Sequence, residues 1–161
     1  VLYLVDANVL IRAHEDYYPI DRVPQFWEWL INQANEGNIK MPFEIHDEIA
    51  IANGPLKDWI VDRAVREALI LGEEVNQDVF NRVLEEGYGQ NLTDAELEAI
   101  GRDPFLAAYC VGQQRAVVTK EVSKPARQRG RRKLPDVCMQ FAVPWMNDFQ
   151  LYRVLDFRIG R

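Results

Sequence analysis

One alternation runs through the chain: a short apolar run that stops on a polar residue, then a stretch with helical spacing. Val1 to Val5 is the first such run, ending on Asp6. It is too short for a helix, β-branched at both ends and polar-bounded, so it reads as a strand buried on both faces. Ile39 to Met41 and "RAVVTK" read as further strands, with another near Val143 and a last one at Phe157 to Ile159. A helix starts at Asn8 to Ala13. The next spans Pro24 to Asn35, where Phe26/Leu30 and Trp27/Ile31 lie four apart and Gly37 closes it. Phe43 to Ala52 follows, then one long helix from Leu56 to Leu71 with Leu56, Ile60, Ala64 and Ala68 on one face. Val75 to Glu86 is ended by Gly87-Tyr88-Gly89, and Thr93 with Glu96 forms a capping box for a helix reaching Ile100. Asp103 as N-cap and Pro104 at the first helical position open a helix to about Gln113; Asp136 to Phe141 and Asp148 to Leu155 are the last two. Strands alternating with helices demand a parallel sheet covered on both sides. The expected fold is α/β: one three-layer α/β/α domain over residues 1–161, with a central parallel sheet of four to five strands.

Composition excludes several classes. Of 161 residues, 48% are hydrophobic and 27% charged, a globular balance rather than a disordered one. The two cysteines, Cys110 and Cys138, are far apart and make no C-x-x-C pair, which argues against a disulfide scaffold or thiolate zinc site and suits a reducing cytoplasm. No apolar run approaches membrane-spanning length, and no signal peptide is read. The net charge of −6 hides an asymmetry. "KEVSKPARQRGRRK", residues 120–133, carries seven basic residues against Glu121, leaving 12 basic and 24 acidic elsewhere. Such a block is either a solvated mobile loop or an arm that tracks phosphates.

In parallel α/β sheets, sites form at the carboxyl ends of the strands. Asp6 directly follows the first strand, Glu121 lies just past "AVVT", and Asp103 begins the helix that returns to that strand. In "PFEIHDEIA", Glu48 lies about 100° from the buried Ile49 and so flanks the core; Glu44 shares its stripe, and Asp47 points further away. Each acid alone reads as a cap or a surface charge. Converging in one crevice, they would repel each other without a cation. Oxygen ligands without a His or Cys cluster suit Mg²⁺ or Mn²⁺.

"YLVDANVLI", an acid on an early helix in "HDEI", "DPFLAAYC" before a strand and "VVTKE" after it together resemble a PIN domain, in an order that covers nearly the whole chain. More narrowly, "YYP", "FWEWL", "VVTKE" and "KLPDVC" are similar to a bacterial PIN branch classed as a domain of unknown function. The resemblance implies a metal-dependent endoribonuclease that leaves 5′-phosphate and 3′-hydroxyl ends. It also implies a toxin silenced by an antitoxin protein, commonly dimeric. By position, Asp6, Glu48 and Asp103 match the family's three principal acids. The fourth falls at Glu121, with Asp136 of "LPDVC" as a rival metal ligand. Two departures stand out: Ala7 replaces the usual Ser or Thr, and Glu121 is longer than the usual residue and sits beside Lys120. Asn8 and Thr119 look like groups that orient a ligand carboxylate.

A hard ion would activate water in line with the scissile phosphorus, with no nucleophilic Ser or Cys needed. Lys124, Arg127, Arg129, Arg131, Arg132 and Lys133 are the candidates for RNA phosphates, and Tyr17, Tyr18 and Trp145 for base stacking. Trp27 and Trp29 are candidates for a dimer contact; His14 and His46 match no catalytic position, and His46 reads as a surface residue. Two alternatives share the fold: a non-catalytic RNA-binding module, and a DNA-directed metal nuclease such as a flap-type enzyme.

Overall fold

The computed structural model describes residues 1–160. Its sheet is all parallel, with strands in the order β2-β1-β3-β4. β1 (Leu2–Val5) is central, pairing with β2 (Ile39–Lys40) on one side and β3 (Arg115–Val118) on the other; β4 (Trp145–Met146) adds to β3. Ten α-helices flank the sheet in a three-layer α/β/α arrangement among the described residues. Leu4, Val5, Val117 and Val118 are fully buried where the two central strands run side by side. Those strands end level, Val5 opposite Val118, so the residues that follow them meet at one edge of the core.

The helices depart from their sequence-predicted bounds for local reasons. After α1 (Ala7–Arg12), the chain tightens into a π-helical turn over Ala13–Tyr17 before α2 (Pro24–Asn35) and α3 (Phe43–Ala50). The long helix expected over Leu56 to Leu71 is two, α4 (Pro55–Ile60) and α5 (Arg63–Leu69). Asp62 breaks it: its carboxylate accepts from the amides of Ala64 and Val65, capping α5 at the expense of continuity. α6 (Gln77–Arg82) runs into a second π-helical turn, Val83–Tyr88. α7 (Asp94–Ile100) carries the Thr93/Glu96 capping box, and α8 spans Asp103–Cys110. α9 (Leu134–Gln140) and α10 (Asp148–Val154) follow.

Phe157 to Ile159 is not a fifth strand. Phe157 instead closes an aromatic cluster, its ring centroid 5.4 Å from Phe26 and 4.9 Å from Trp29. Tyr18 stacks on Phe26 at 4.8 Å in the same cluster. The apolar signal of the chain end belongs to side-chain packing and not to a ladder. Trp27 is also turned inward, its indole donating to the Tyr18 carbonyl at 2.7 Å. Both tryptophans contribute to this chain's own packing, Trp27 buried and Trp29 half-buried. His46 is likewise corrected: it is buried, with Nε2 2.8 Å from the Ile60 carbonyl, and pins α3 to α4. Burial pushes its pKa down. No helix among the described residues is long and apolar enough to cross a membrane.

Candidate metal centre

The site grows from the level ends of β1 and β3. Asp6 continues the ladder through its amide, which donates to the Val118 carbonyl at 2.8 Å, and then caps α1. Its Oδ1 accepts from the Ala7 amide and its Oδ2 from the Thr119 hydroxyl, both at 2.8 Å. The hydroxyl missing at Ala7 thus has a counterpart across the sheet. Thr119 Oγ1 also accepts from Asn8 Nδ2 at 3.3 Å and from the Glu121 amide at 3.1 Å, while Asn8 Oδ1 accepts from the Lys120 amide at 3.1 Å. Asn8 therefore reaches Asp6 only through Thr119, and its larger effect is to fix the backbone of the strap 119–121.

Asp103 is the first residue of α8 rather than its cap; Arg102 takes the cap position and gives no side-chain bond there. The Asp103 carboxylate is left to face the other acids. Oxygens of Asp6, Asp103 and Glu121 all lie within 4.8 Å of one another. Glu48 stands outside that group, yet its charge acts on both aspartates. Asp136, the rival ligand, also stands apart. It accepts from Ser123 Oγ at 2.5 Å and from the Lys124 amide at 2.8 Å, so it anchors the basic segment instead of joining the acids. Glu44 accepts from Tyr109 at 3.0 Å and Asp47 pairs with Arg102 at 2.8 Å.

The electrostatics follow from crowding. Burial, then the charges of Asp6 and Glu121, push the Asp103 pKa far above the usual carboxylate range. Asp6 is also raised, chiefly by burial, with its bond from Thr119 pulling the other way and Glu121 and Glu48 adding to the rise. Glu48 is raised by burial and partly relieved by Arg102. Without a cation the cleft holds protons that exposed carboxylates would have lost. The donor set fits a hard divalent ion: three carboxylates from two strand ends and one helix start, oriented by a hydroxyl. Cys138 senses the same acids, and burial drives its thiol well above the ordinary range; it stands outside the group whose ligand atoms lie within 4.8 Å of one another.

The basic segment is more ordered than a solvated arm. Arg129 pairs with Glu96 at 2.8 Å and donates to the Gln90 carbonyl at 3.1 Å; Arg132 donates to the Gly87 carbonyl and to Gln140. These two arginines are committed to internal contacts. Lys124, Arg127, Arg131 and Lys133 make no ion pair among the described residues. Of the stacking candidates, Tyr18 is tied up in the aromatic cluster, Tyr17 lies edge-on to Phe149 at 5.1 Å, and Trp145 is half-buried on β4. His14 Nδ1 accepts from the Ile20 amide at 3.2 Å.

Two residues near the strap escaped sequence reasoning. Lys120 reaches away from the acids to Asp148, 3.0 Å from both its oxygens. Tyr88 read only as part of a helix-ending Gly-Tyr-Gly, and its hydroxyl is buried without a hydrogen-bond partner. A large aromatic residue between two glycines was the available signal. No curated protein matches the chain. A family described as a domain of unknown function, DUF4411, matches residues 3–159, and the chain belongs to it.

Proposed function

We propose that this member of the DUF4411 family is a divalent-cation-dependent endoribonuclease whose cleft acids are Asp6, Asp103 and Glu121, with Glu48 alongside. The observation that carries the proposal is the convergence of three carboxylates within 4.8 Å with no basic side chain among them; two of the three, Asp6 and Asp103, have their pKa raised chiefly by burial. A chain gains nothing in stability from such a group, since like charges there oppose one another. The resemblance to PIN domains supplies the reaction class.

When bound, Mg²⁺ or Mn²⁺ supplies an activated water and positive charge opposite the scissile phosphate. The chain's own groups prepare the place. Thr119 fixes the rotamer of Asp6 by donating to Oδ2, and Asn8 holds the strap from which Glu121 projects. Asp103, free of any capping duty, presents its carboxylate from the start of α8. Lys124, Arg127, Arg131 and Lys133 are the cations left to hold flanking phosphates, a contribution that falls with salt. An antitoxin partner and a toxin role belong to the same reading and rest on the resemblance alone.

The test is cleavage of single-stranded RNA and DNA by the purified chain with Mn²⁺, with Mg²⁺ and with EDTA, beside Asp6→Asn and Asp103→Asn. RNA cutting that needs the ion and drops by at least about 100-fold in both variants is expected, in the range of losing a principal electrostatic group. Variants that cut as well as the parent would sink the proposal. RNA binding that ignores both ion and substitution would leave a binding module, and preference for DNA a different nuclease.

A further inference from the structure

Between α3 and α4 the chain turns through Gly54, at φ 128°, a conformation that side chains rarely adopt. Behind this turn lies a cavity of about 280 Å³, with Ile11 of α1, Ile49 of α3 and Leu56 of α4 as apolar walls. Its polar lining includes Glu15, Glu48, Asn53 and Lys57. None of the three charged groups there makes an ion pair among the described residues. His14 also lines it, and its Nδ1 accepts from the Ile20 amide, so a neutral ring carries its proton on Nε2 as a donor.

Two elements join this cavity to the acid cleft. Ile11 lies about 7.5 Å along α1 from Asp6, five residues on at a rise of about 1.5 Å each. Glu48 follows Asp47, which Arg102 holds at 2.8 Å while also donating to the Glu44 carbonyl at 2.8 Å. Arg102 immediately precedes Asp103, so α3 is fastened beside the start of α8. Glu48 is thus a wall of the cavity one residue from that anchor.

Two carboxylates against one ammonium make the cavity a poor place for a phosphate and a good acceptor of N–H groups. An unpaired base is uncharged, has flat faces for aliphatic walls, and is read by hydrogen bonds along its edge. We propose that the cavity takes one unpaired base of the RNA beside the cleft, and favours a base with an exocyclic amino group over uracil. This rests on the reading of the chain as a ribonuclease. Uracil would turn carbonyls toward the carboxylates and leave acceptors unpaired, which is how a polar site rejects the wrong ligand.

Short single strands of A, of C and of U would be titrated at low salt in EDTA against the parent, Glu15→Ala and Ala52→Trp. Both residues are exposed and outside the cleft acids, so both variants should unfold at the parent's temperature. The parent should bind the A and C strands at least about tenfold more tightly than the U strand, a hydrogen bond to a charged group being at stake. Ala52→Trp, which fills the cavity, should erase that preference, and Glu15→Ala should reduce it, with binding of the U strand unchanged. Equal binding of all three strands by the parent overturns the inference, while Mn²⁺-dependent cutting of the same strands would leave the ribonuclease reading standing. A preference that survives in Ala52→Trp overturns it too, because the base is then read elsewhere. Binding of N-acetylargininamide that Ala52→Trp loses, without any base preference, assigns the cavity to a basic side chain of a protein partner and overturns it likewise. A parent that neither binds nor cuts RNA removes that reading and this inference together.

Discussion

Asp6 and Asp148 are both buried, and they flank the same strap, residues 119–121, from opposite sides. Asp148 is fully buried and has its counter-charge built in: Lys120 Nζ sits 3.0 Å from both carboxylate oxygens and within 5 Å of the Tyr17 and Phe149 rings. Asp6, 4% exposed, receives only neutral donors and faces Asp103 and Glu121. Two adjacent residues of one strap thus treat two carboxylates differently. Where the chain needs a buried negative charge for its own packing it provides a cation. In the cleft it provides none, and the crowding shows instead as raised pKa values of Asp6 and Asp103.

Breaking the self-sufficient side should have the largest effect. Lys120→Met leaves Asp148 buried and unpaired, and urea unfolding should show a loss of roughly 3–5 kcal/mol. Adding Asp148→Leu to that variant should recover most of the loss, because an apolar pair of similar volume tolerates burial.

Supplying the other side comes next. Mn²⁺ at about 100 times its dissociation constant should stabilise the parent by about 2.7 kcal/mol, read as a shift in the unfolding midpoint. The effect depends on pH. The raised pKa values of Asp6 and Asp103 mean that the folded, ion-free protein binds more protons than the unfolded chain. The contribution of these two groups to stability is therefore fully present below the ordinary carboxylate range, roughly pH 4, and is lost as pH rises through the elevated folded values. Mn²⁺ should remove that decline, so its stabilisation should be larger at pH 8 than at pH 5. Equal shifts at both would contradict the contrast between the two aspartates.

The smallest expected change has the opposite sign to the first. Asp103→Asn should stabilise the ion-free protein at pH 8 by at least roughly 1.4 kcal/mol, one pKa unit's worth of repulsion, and abolish the Mn²⁺ shift. If Asp103→Asn destabilised the protein as Lys120→Met does, the cleft acids would be structural.

The sheet and the first carboxylate were legible because they depend on short-range signals. Val1 to Val5 and "RAVV" are apolar runs too short to be anything but strands in this context, and residues after parallel strand ends share an edge by geometry. What stayed hidden depends on long-range partners. Glu121 and Asp136 are equally plausible along the chain, and only the closure of the basic segment onto α9 turns Asp136 toward Ser123 and away from the acids. His46 looked exposed because helical spacing shows which residues share a face, not that α4 returns a free carbonyl to it. Asp103 looked like a cap because Asp-Pro is a common helix start, and Arg102 extends the cap by one residue. Arg129 and Arg132 carry the same charge as their neighbours, so nothing local separated the arginines that brace the Tyr88 segment from those that face outward.

The brevity of the outer strands has a consequence for assembly. β2 and β4 are two residues each, and β2 is continued only by the single Met41–Ile70 bridge. Stubs of this length leave few unpaired backbone groups for another strand to dock on, which is how natural sheets blunt their edges against growth. A chain with four parallel strands and a buried centre thus carries little risk of polymerising through its sheet. What such short edges leave on the surface is mostly helix faces and loops, where side chains and not backbone would choose a partner.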